Sequence, residues 1–228
     1  MPPIRPLAFL ADAAKALAAR LAFLGRPKEP TLQAALRLKL DTRKWNAELL
    51  KRLEWRRFEE LCAAYYEAAG YATRIDHGSP QGGVDIVLQQ KGGAQARVAR
   101  CKAWDAYRVG VKSVREVRRS MAAARLAGGI LLTSGRFTQE AVKLAAAEGV
   151  ELVDGAALLD RIAALPPEKA LGLLQFATQG DFLTPTCPSC SIKMIQRQST
   201  REGRKFWGCR NYPACKQTFA GTAADASA

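Results

Sequence analysis

The chain has 228 residues, 48% of them hydrophobic and 7% aromatic, enough apolar material for one sizeable domain and a small module. Its 35 Lys and Arg against 21 Asp and Glu give a formal charge of +14, which predicts a polyanionic partner, nucleic acid before any other. The basic residues occur in every region rather than along one amphipathic helix, which argues against an anionic membrane surface.

Residues 1–51 read as a helical N-terminal arm. Leu10, Ala14, Leu17, Leu21 and Leu24 recur at helical spacing, and Pro27 and Pro30 break the pattern. Asp12, Lys15 and Arg20 interrupt the apolar segment, so neither a membrane span nor a secretory signal is expected there. A cytoplasmic, nucleoid-associated location follows as the expectation. Docking, formation of a homodimer and contact with DNA all remain open roles for this arm.

From residue 52 to about 165 the pattern becomes that of an α/β domain. In "EWRRFEELCAAYYEAAG", Trp55, Phe58, Cys62, Tyr65 and Ala69 share one helical face, and Gly70 supplies the stop. Three strand-like runs follow at 71–76, 83–90 and 96–103, the last two joined by the glycine turn "KGGAQ". Val111, Val114, Val117, Met121 and Ala124 mark a second amphipathic helix, whose other face carries Lys112, Arg115 and Arg119. "GGILLTS" at 128–134 is a continuous apolar run, as in a strand buried on both faces. A helix near 138–148, the strand "VELVD" and a helix near 156–164 complete a mixed sheet flanked by helices. Residues 166–185 read as a linker holding at most one short helix, and 221–228 as a disordered tail.

Six cysteines fall into two kinds. Cys62 and Cys101 have no partner at metal-ligand spacing and are expected to be core thiols. The other four lie in residues 186–220: a CxxC pair, 18 intervening residues, then two cysteines with five between them. Four soft ligands brought together by a knuckle and a hairpin suit tetrahedral Zn²⁺, whose binding would supply much of the folding energy of so small a module. Two disulfides or unpaired thiols are the alternative. Between Cys187 and Phe219 there are seven basic residues and one acid, interleaved with aromatics. Arg204, Lys205, Phe206, Trp207, Arg210 and Tyr212 would suit phosphate contact and base stacking on an unpaired strand, with some of the aromatics packing the core instead.

The residues "CPSC" and "GRKFWGCRNYPAC" closely resemble the zinc ribbon appended to bacterial type I DNA topoisomerases. That resemblance implies Cys187, Cys190, Cys209 and Cys215 as zinc ligands and single-stranded DNA as partner.

Asp85 in "GGVDIVL" and Lys102 in "RCKAW" lie on adjacent predicted strands, with Glu59 on the preceding helix. These residue types suit phosphodiester cleavage with a divalent metal: carboxylates hold Mg²⁺, and a lysine orients water or steadies the developing charge. "FEELCAAYYEAAGY", "GGVDIVL", "RCKAW", "VGVKSVREV", "GGILLTSGRFTQEAVKLA" and "VELVDGAALL", in that order, resemble the Mrr-like restriction endonucleases of the PD-(D/E)xK fold. The resemblance covers residues 55–164 and implies a Mg²⁺-dependent deoxyribonuclease acting on double-stranded, modified or foreign DNA. It assigns Glu59 (with Glu60 as the adjacent alternative) as the helical acid, Asp85 as the metal-binding aspartate and Lys102 as the catalytic lysine.

Two positions before that lysine the family carries Gln or Glu, whereas this chain has Arg100. A guanidinium cannot ligate a cation. At about 4 Å and an effective dielectric near 20 it repels each unit of positive charge by about 4 kcal/mol. Three arrangements stay open: Arg100 turns away towards DNA, Glu116 supplies the missing carboxylate from the following helix, or the domain binds DNA without cutting it. From Arg97 to Arg125 there are nine cations and two acids, which fits contact with a duplex backbone through Lys112, Arg115 and Arg119.

Overall fold

A computed structural model describes residues 40–76, 85–90, 96–103, 108–126, 128–199 and 203–220. The expectations for residues 1–39, the glycine turn 91–95 and the tail 221–228 lie outside the described residues, as do the side chains of Asp76 and Asp85.

The helix α1 (Ala47–Arg52) is capped by the Asn46 side chain, which accepts from the amide of Leu49. It belongs to the α/β domain rather than to an arm, because Leu49, Leu50 and Leu53 are fully buried in its core. Helix α2 (Trp55–Ala68) follows, capped by Glu54, and ends before Gly70 at a φ of 98°, which no side chain-bearing residue adopts without strain. The strands β1 (Tyr71–Asp76), β2 (Asp85–Gln90) and β3 (Ala96–Lys102) come next. After the short β4 (Arg108–Val109) come α3 (Val111–Ala124), β5 (Gly128–Thr133), the short β6 (Arg136–Phe137) and α4 (Gln139–Glu148). The domain closes with β7 (Val150–Val153), α5 (Gly155–Ala163) and α6 (Pro167–Thr178).

The main sheet has the order β1-β2-β3-β5-β7. β1, β2 and β3 pair antiparallel, and β3, β5 and β7 pair parallel, so the sheet is mixed as expected. Strand alternation sorts its side chains to two layers. Ile86, Leu88, Ala99, Cys101, Ile130 and Leu132 pack against α2, α5 and α6. Val98 and Leu131 pack on the other side against Val114, Val117 and Met121 of α3. Cys62 and Cys101 are buried in the first core, as their isolation predicts.

Residues 166–185 are not a loose linker. Pro167 starts α6 where its missing N–H costs nothing, and Leu173, Leu174, Phe176 and Ala177 are buried against the core. The two prolines end one helix and open another; they do not end the domain. Residues 186–220 then form a three-stranded antiparallel sheet of β8 (Ile195–Gln198), β9 (Lys205–Gly208) and β10 (Thr218–Ala220), with β9 in the middle.

Candidate active site and zinc centre

Arg100 and Lys102 stand two apart on β3, on the face covered by α3. Asp85 opens β2 at the register position opposite Arg100, and Thr133 ends β5 opposite Lys102. One end of the sheet therefore gathers the aspartate position, the arginine and the lysine on neighbouring strands.

Helix α3 brings an acid to the same place. Glu116 is buried beside the valine stripe, and its Oε2 lies 2.9 Å from Lys102 Nζ and 3.4 Å from Arg100 Nη1. Arg100 Nη2 also donates to Ser120 Oγ one turn further along, at 3.4 Å. Burial pushes the Glu116 carboxyl up, but Lys102 and Arg100 outweigh it and hold it below the usual carboxylate range. The helix sits close because Gly129 of β5 has no side chain: a Cβ there would come within 2.5 Å of Val117 Cγ1 and 2.6 Å of Met121 Sδ.

The arginine differs from expectation in one respect. Only 2% of Arg100 is exposed, so it does not present its guanidinium to a surface phosphate. The strand face that carries Arg100 is covered by α3, and Glu116 helps to make a cation tolerable there. Glu59 is also buried, on α2, the helix covering the opposite face of the sheet. Lys112, Arg115 and Arg119 are exposed on the outer side of α3, as predicted.

The four ribbon cysteines converge. Their sulfur atoms all lie within 4.8 Å of one another, and Cys187 Sγ is 3.7 Å from Cys215 Sγ. A tetrahedron with Zn–S bonds of about 2.3 Å has edges of about 3.8 Å, so the cluster fits zinc and its all-thiolate donor set suits that metal. All four are free thiols in the structure.

Around the centre, Trp207 and Phe219 pack against Cys187, Met194 and Cys209, which spends them on the small core. Tyr212 is 60% exposed, Arg204 and Arg210 are exposed, and Lys205 and Phe206 are half-buried. Arg197, which sequence reasoning missed, lies with its Cζ 5.4 Å from the Tyr212 ring centroid. With Gln198, Phe206, Tyr212 and Lys216 it lines a concavity of about 380 Å³, and its Nε is buried without a hydrogen-bond partner among the described residues. The signal for Arg197 was its place on the strand beside "KFW", visible only once the strands pair.

The ribbon is seated on the larger domain. The Glu54 carboxylate accepts from the Thr186 amide and hydroxyl and from Lys193 Nζ, while Trp55 Nε1 donates to the Thr186 carbonyl at 2.7 Å. No helix of the described residues is long and apolar enough to cross a membrane.

Comparison with known proteins agrees with this division. Residues 50–162 match the model of a restriction endonuclease family, and residues 184–220 match that of the topoisomerase DNA-binding C4 zinc fingers. The protein y4cE of Sinorhizobium fredii (strain NBRC 101917 / NGR234), described as uncharacterized, is 29% identical over 97 residues, which are 41% of this chain and 25% of that protein. Among solved structures, EndoMS in its apo form is similar with a TM-score of 0.38 and 20% identity, over 44% of this chain and 45% of that one. The DNA modification-dependent restriction endonuclease AspBHI is similar with a TM-score of 0.40 and 18% identity, over 77% of this chain and 44% of that one. The chain thus spans a quarter of the curated relative and less than half of either of these two structures. The two matched segments are those of a DNA nuclease or a DNA-binding protein.

Proposed function

We propose that this chain, a restriction-endonuclease domain joined to a topoisomerase-type zinc ribbon, is a metal-dependent DNA endonuclease whose ribbon holds single-stranded DNA. One observation carries the reading: Lys102 and the buried Glu116 meet at 2.9 Å at the end of the sheet where Asp85 begins the neighbouring strand. A buried acid and a lysine gathered at one end of a sheet are costly to maintain as mere structure and useful for phosphodiester chemistry.

Asp85 would hold Mg²⁺, for which hard carboxylate oxygens are the fitting donors; Glu59, the acid that the family likeness adds, lies on the helix of the opposite face. Bound there, the ion would supply Lewis acidity and a water of lowered pKa. Lys102, its ammonium directed by Glu116, would orient the attacking water and steady charge developing on the phosphate oxygens. Lys112, Arg115 and Arg119, exposed on the outer face of α3, would take the backbone of a duplex. In the ribbon, one structural zinc on Cys187, Cys190, Cys209 and Cys215 would fix the hairpins, and Tyr212 with Arg197 and Phe206 would receive an unpaired base. Modified or foreign DNA in the cytoplasm is the substrate class that the family likeness favours.

Arg100 supports one rival. Its buried guanidinium stands where a metal-binding or neutral group is expected, which favours a DNA-binding protein that no longer cuts. Incubation of supercoiled and single-stranded DNA with Mg²⁺ or Mn²⁺ separates the two readings. The nuclease should nick or linearise DNA, and Asp85→Ala and Lys102→Ala should each lose about 100-fold or more of that rate. Retained DNA binding with no metal-dependent cleavage by the unaltered protein would establish the rival.

A further inference from the structure

Arg100 is the residue that does not fit a metal-dependent nuclease, and its surroundings suggest why it is tolerated. Its Nη1 lies 3.4 Å from Glu116 Oε2, and the same oxygen lies 2.9 Å from Lys102 Nζ. Glu116 is the one acid in α3, a helix whose other charged residues, Lys112, Arg115, Arg118 and Arg119, are cations exposed to solvent. A carboxylate buried next to Val114 and Val117 is expensive unless cations meet it. Here the two cations are the lysine of the site and the arginine beside it.

We infer that Glu116 is the positioning residue of the active site: it cancels the charge of Arg100 and fixes the Lys102 ammonium, so that Arg100 and Glu116 together are the electrical equivalent of a neutral residue at position 100. The inference rests on the nuclease reading given above and adds to it. With a glutamine at position 100, Asp85 and Lys102 would sum to zero. Arg100 alone brings that sum to one excess positive charge and weakens the attraction for a divalent cation; Glu116 restores it. Because Oε2 touches both cations, removal of the acid would take a counter-charge from each of them at once, the catalytic lysine included.

The charge count orders four proteins, each carrying its zinc: unaltered, Arg100→Gln, Glu116→Gln and the double variant. Mn²⁺ binding is measured by calorimetry, with Asp85→Ala to identify the site, alongside DNA cleavage and thermal unfolding. Arg100→Gln should bind Mn²⁺ at least about threefold more tightly than the unaltered protein, and Glu116→Gln at least about tenfold more weakly. The double variant should return to within about threefold of the unaltered protein and regain cleavage. A merely structural ion pair would change the unfolding temperature and leave Mn²⁺ affinity of the folded protein unmoved, which would overturn the inference. So would a double variant as weak as Glu116→Gln. If Glu116→Gln fails to fold, the comparison of Arg100→Gln, the unaltered protein and the double variant still decides, since equal Mn²⁺ affinity in all three overturns it. An unaltered, folded protein that neither binds Mn²⁺ nor cleaves would overturn the nuclease reading itself, whereas an active one with unresponsive variants overturns only the role of Glu116.

Discussion

The carboxylate of Glu54 accepts the hydroxyl of Thr186 at 2.9 Å, joining the first turn of α2 to the residue before the first ribbon cysteine. The same carboxylate takes the amides of Arg56 and Thr186 and the ammonium of Lys193, and Glu54 is only 2% exposed. A helix-capping acid thus serves two folding units. One is the second helix of the α/β domain; the other is the knuckle between Cys187 and Cys190.

Truncation of that acid should loosen both. Glu54→Ala leaves a buried hydroxyl, two amides and a lysine without their acceptor, for an expected loss of about 2–4 kcal/mol in urea denaturation of the full chain. Zinc removal by a chelator should have a smaller effect of the same kind, because the knuckle that carries Thr186 and Lys193 no longer holds its shape. The unaltered protein should contain one zinc per chain, and the chelator effect should shrink in Glu54→Ala. Equal chelator effects in both proteins would mean that the ribbon and the α/β domain unfold independently.

Acid should act through Glu151. Its Oε2 lies 2.6 Å from Arg97 Nη2 and its Oε1 2.7 Å from Arg161 Nη2. Burial raises this carboxyl, yet the bonds from Arg161 and Arg97 outweigh it and hold it below its ordinary range. A depressed folded pKa contributes stability that is complete above the unfolded carboxylate value of about 4.3 and is lost as pH falls through the lower folded value. The gap in unfolding free energy between the unaltered protein and Glu151→Gln should therefore be about 1 kcal/mol near pH 6 and should close towards pH 3. Both proteins lose ribbon zinc in acid, so the difference between them is the quantity to read. A gap that stays constant with pH would remove Glu151 from the account.

Gly129 sets how near α3 approaches the sheet. An alanine there would place its Cβ 2.5 Å from Val117 Cγ1, a clash that only movement of the helix relieves. Gly129→Ala should cost about 1–3 kcal/mol and lower cleavage by the folded protein, since α3 would carry Glu116 away from Lys102. Adding Val117→Ala opens room for the new methyl and should recover part of both losses. Full activity in Gly129→Ala would show that the distance from Glu116 to Lys102 is not critical.

What could be read before folding was whatever repeats locally. The strand runs, the valine stripe of α3 and the cysteine spacing each obey a short period or a fixed loop length, and each is found as expected. For Arg100 the sequence leaves three arrangements open, one of them turned towards DNA; only the helix laid across it reveals that it points inside. Glu54 offered no signal at all, since its partner hydroxyl lies 132 residues away. The helix α6 was legible as a short helix but its packing on the core was not, since prolines mark a change of direction equally well inside a domain and between two. Glu116 was legible as a candidate, but whether it served the metal or the cations depended on which way α3 turned.

The outer face of α3 gives the last prediction. Lys112, Arg115 and Arg119 are exposed there, as is Arg118, which pairs with Glu148 at 2.6 Å. Each phosphate contact that releases a counterion contributes about 0.9 to the slope of log affinity against log salt on a duplex. Changing Lys112, Arg115 and Arg119 together to alanine should therefore weaken duplex binding and reduce that slope by about 2–3, whatever the DNA sequence. Arg118→Ala should leave it nearly unchanged, because that guanidinium is already neutralised on the protein. Single-stranded DNA should respond in the opposite pattern, with the triple variant close to normal and Tyr212→Ala weakened by about 1–3 kcal/mol. A slope that the triple variant does not alter would move the duplex to another face of the domain, and equal sensitivity of both DNA forms to both sets of changes would mean one continuous binding surface rather than two.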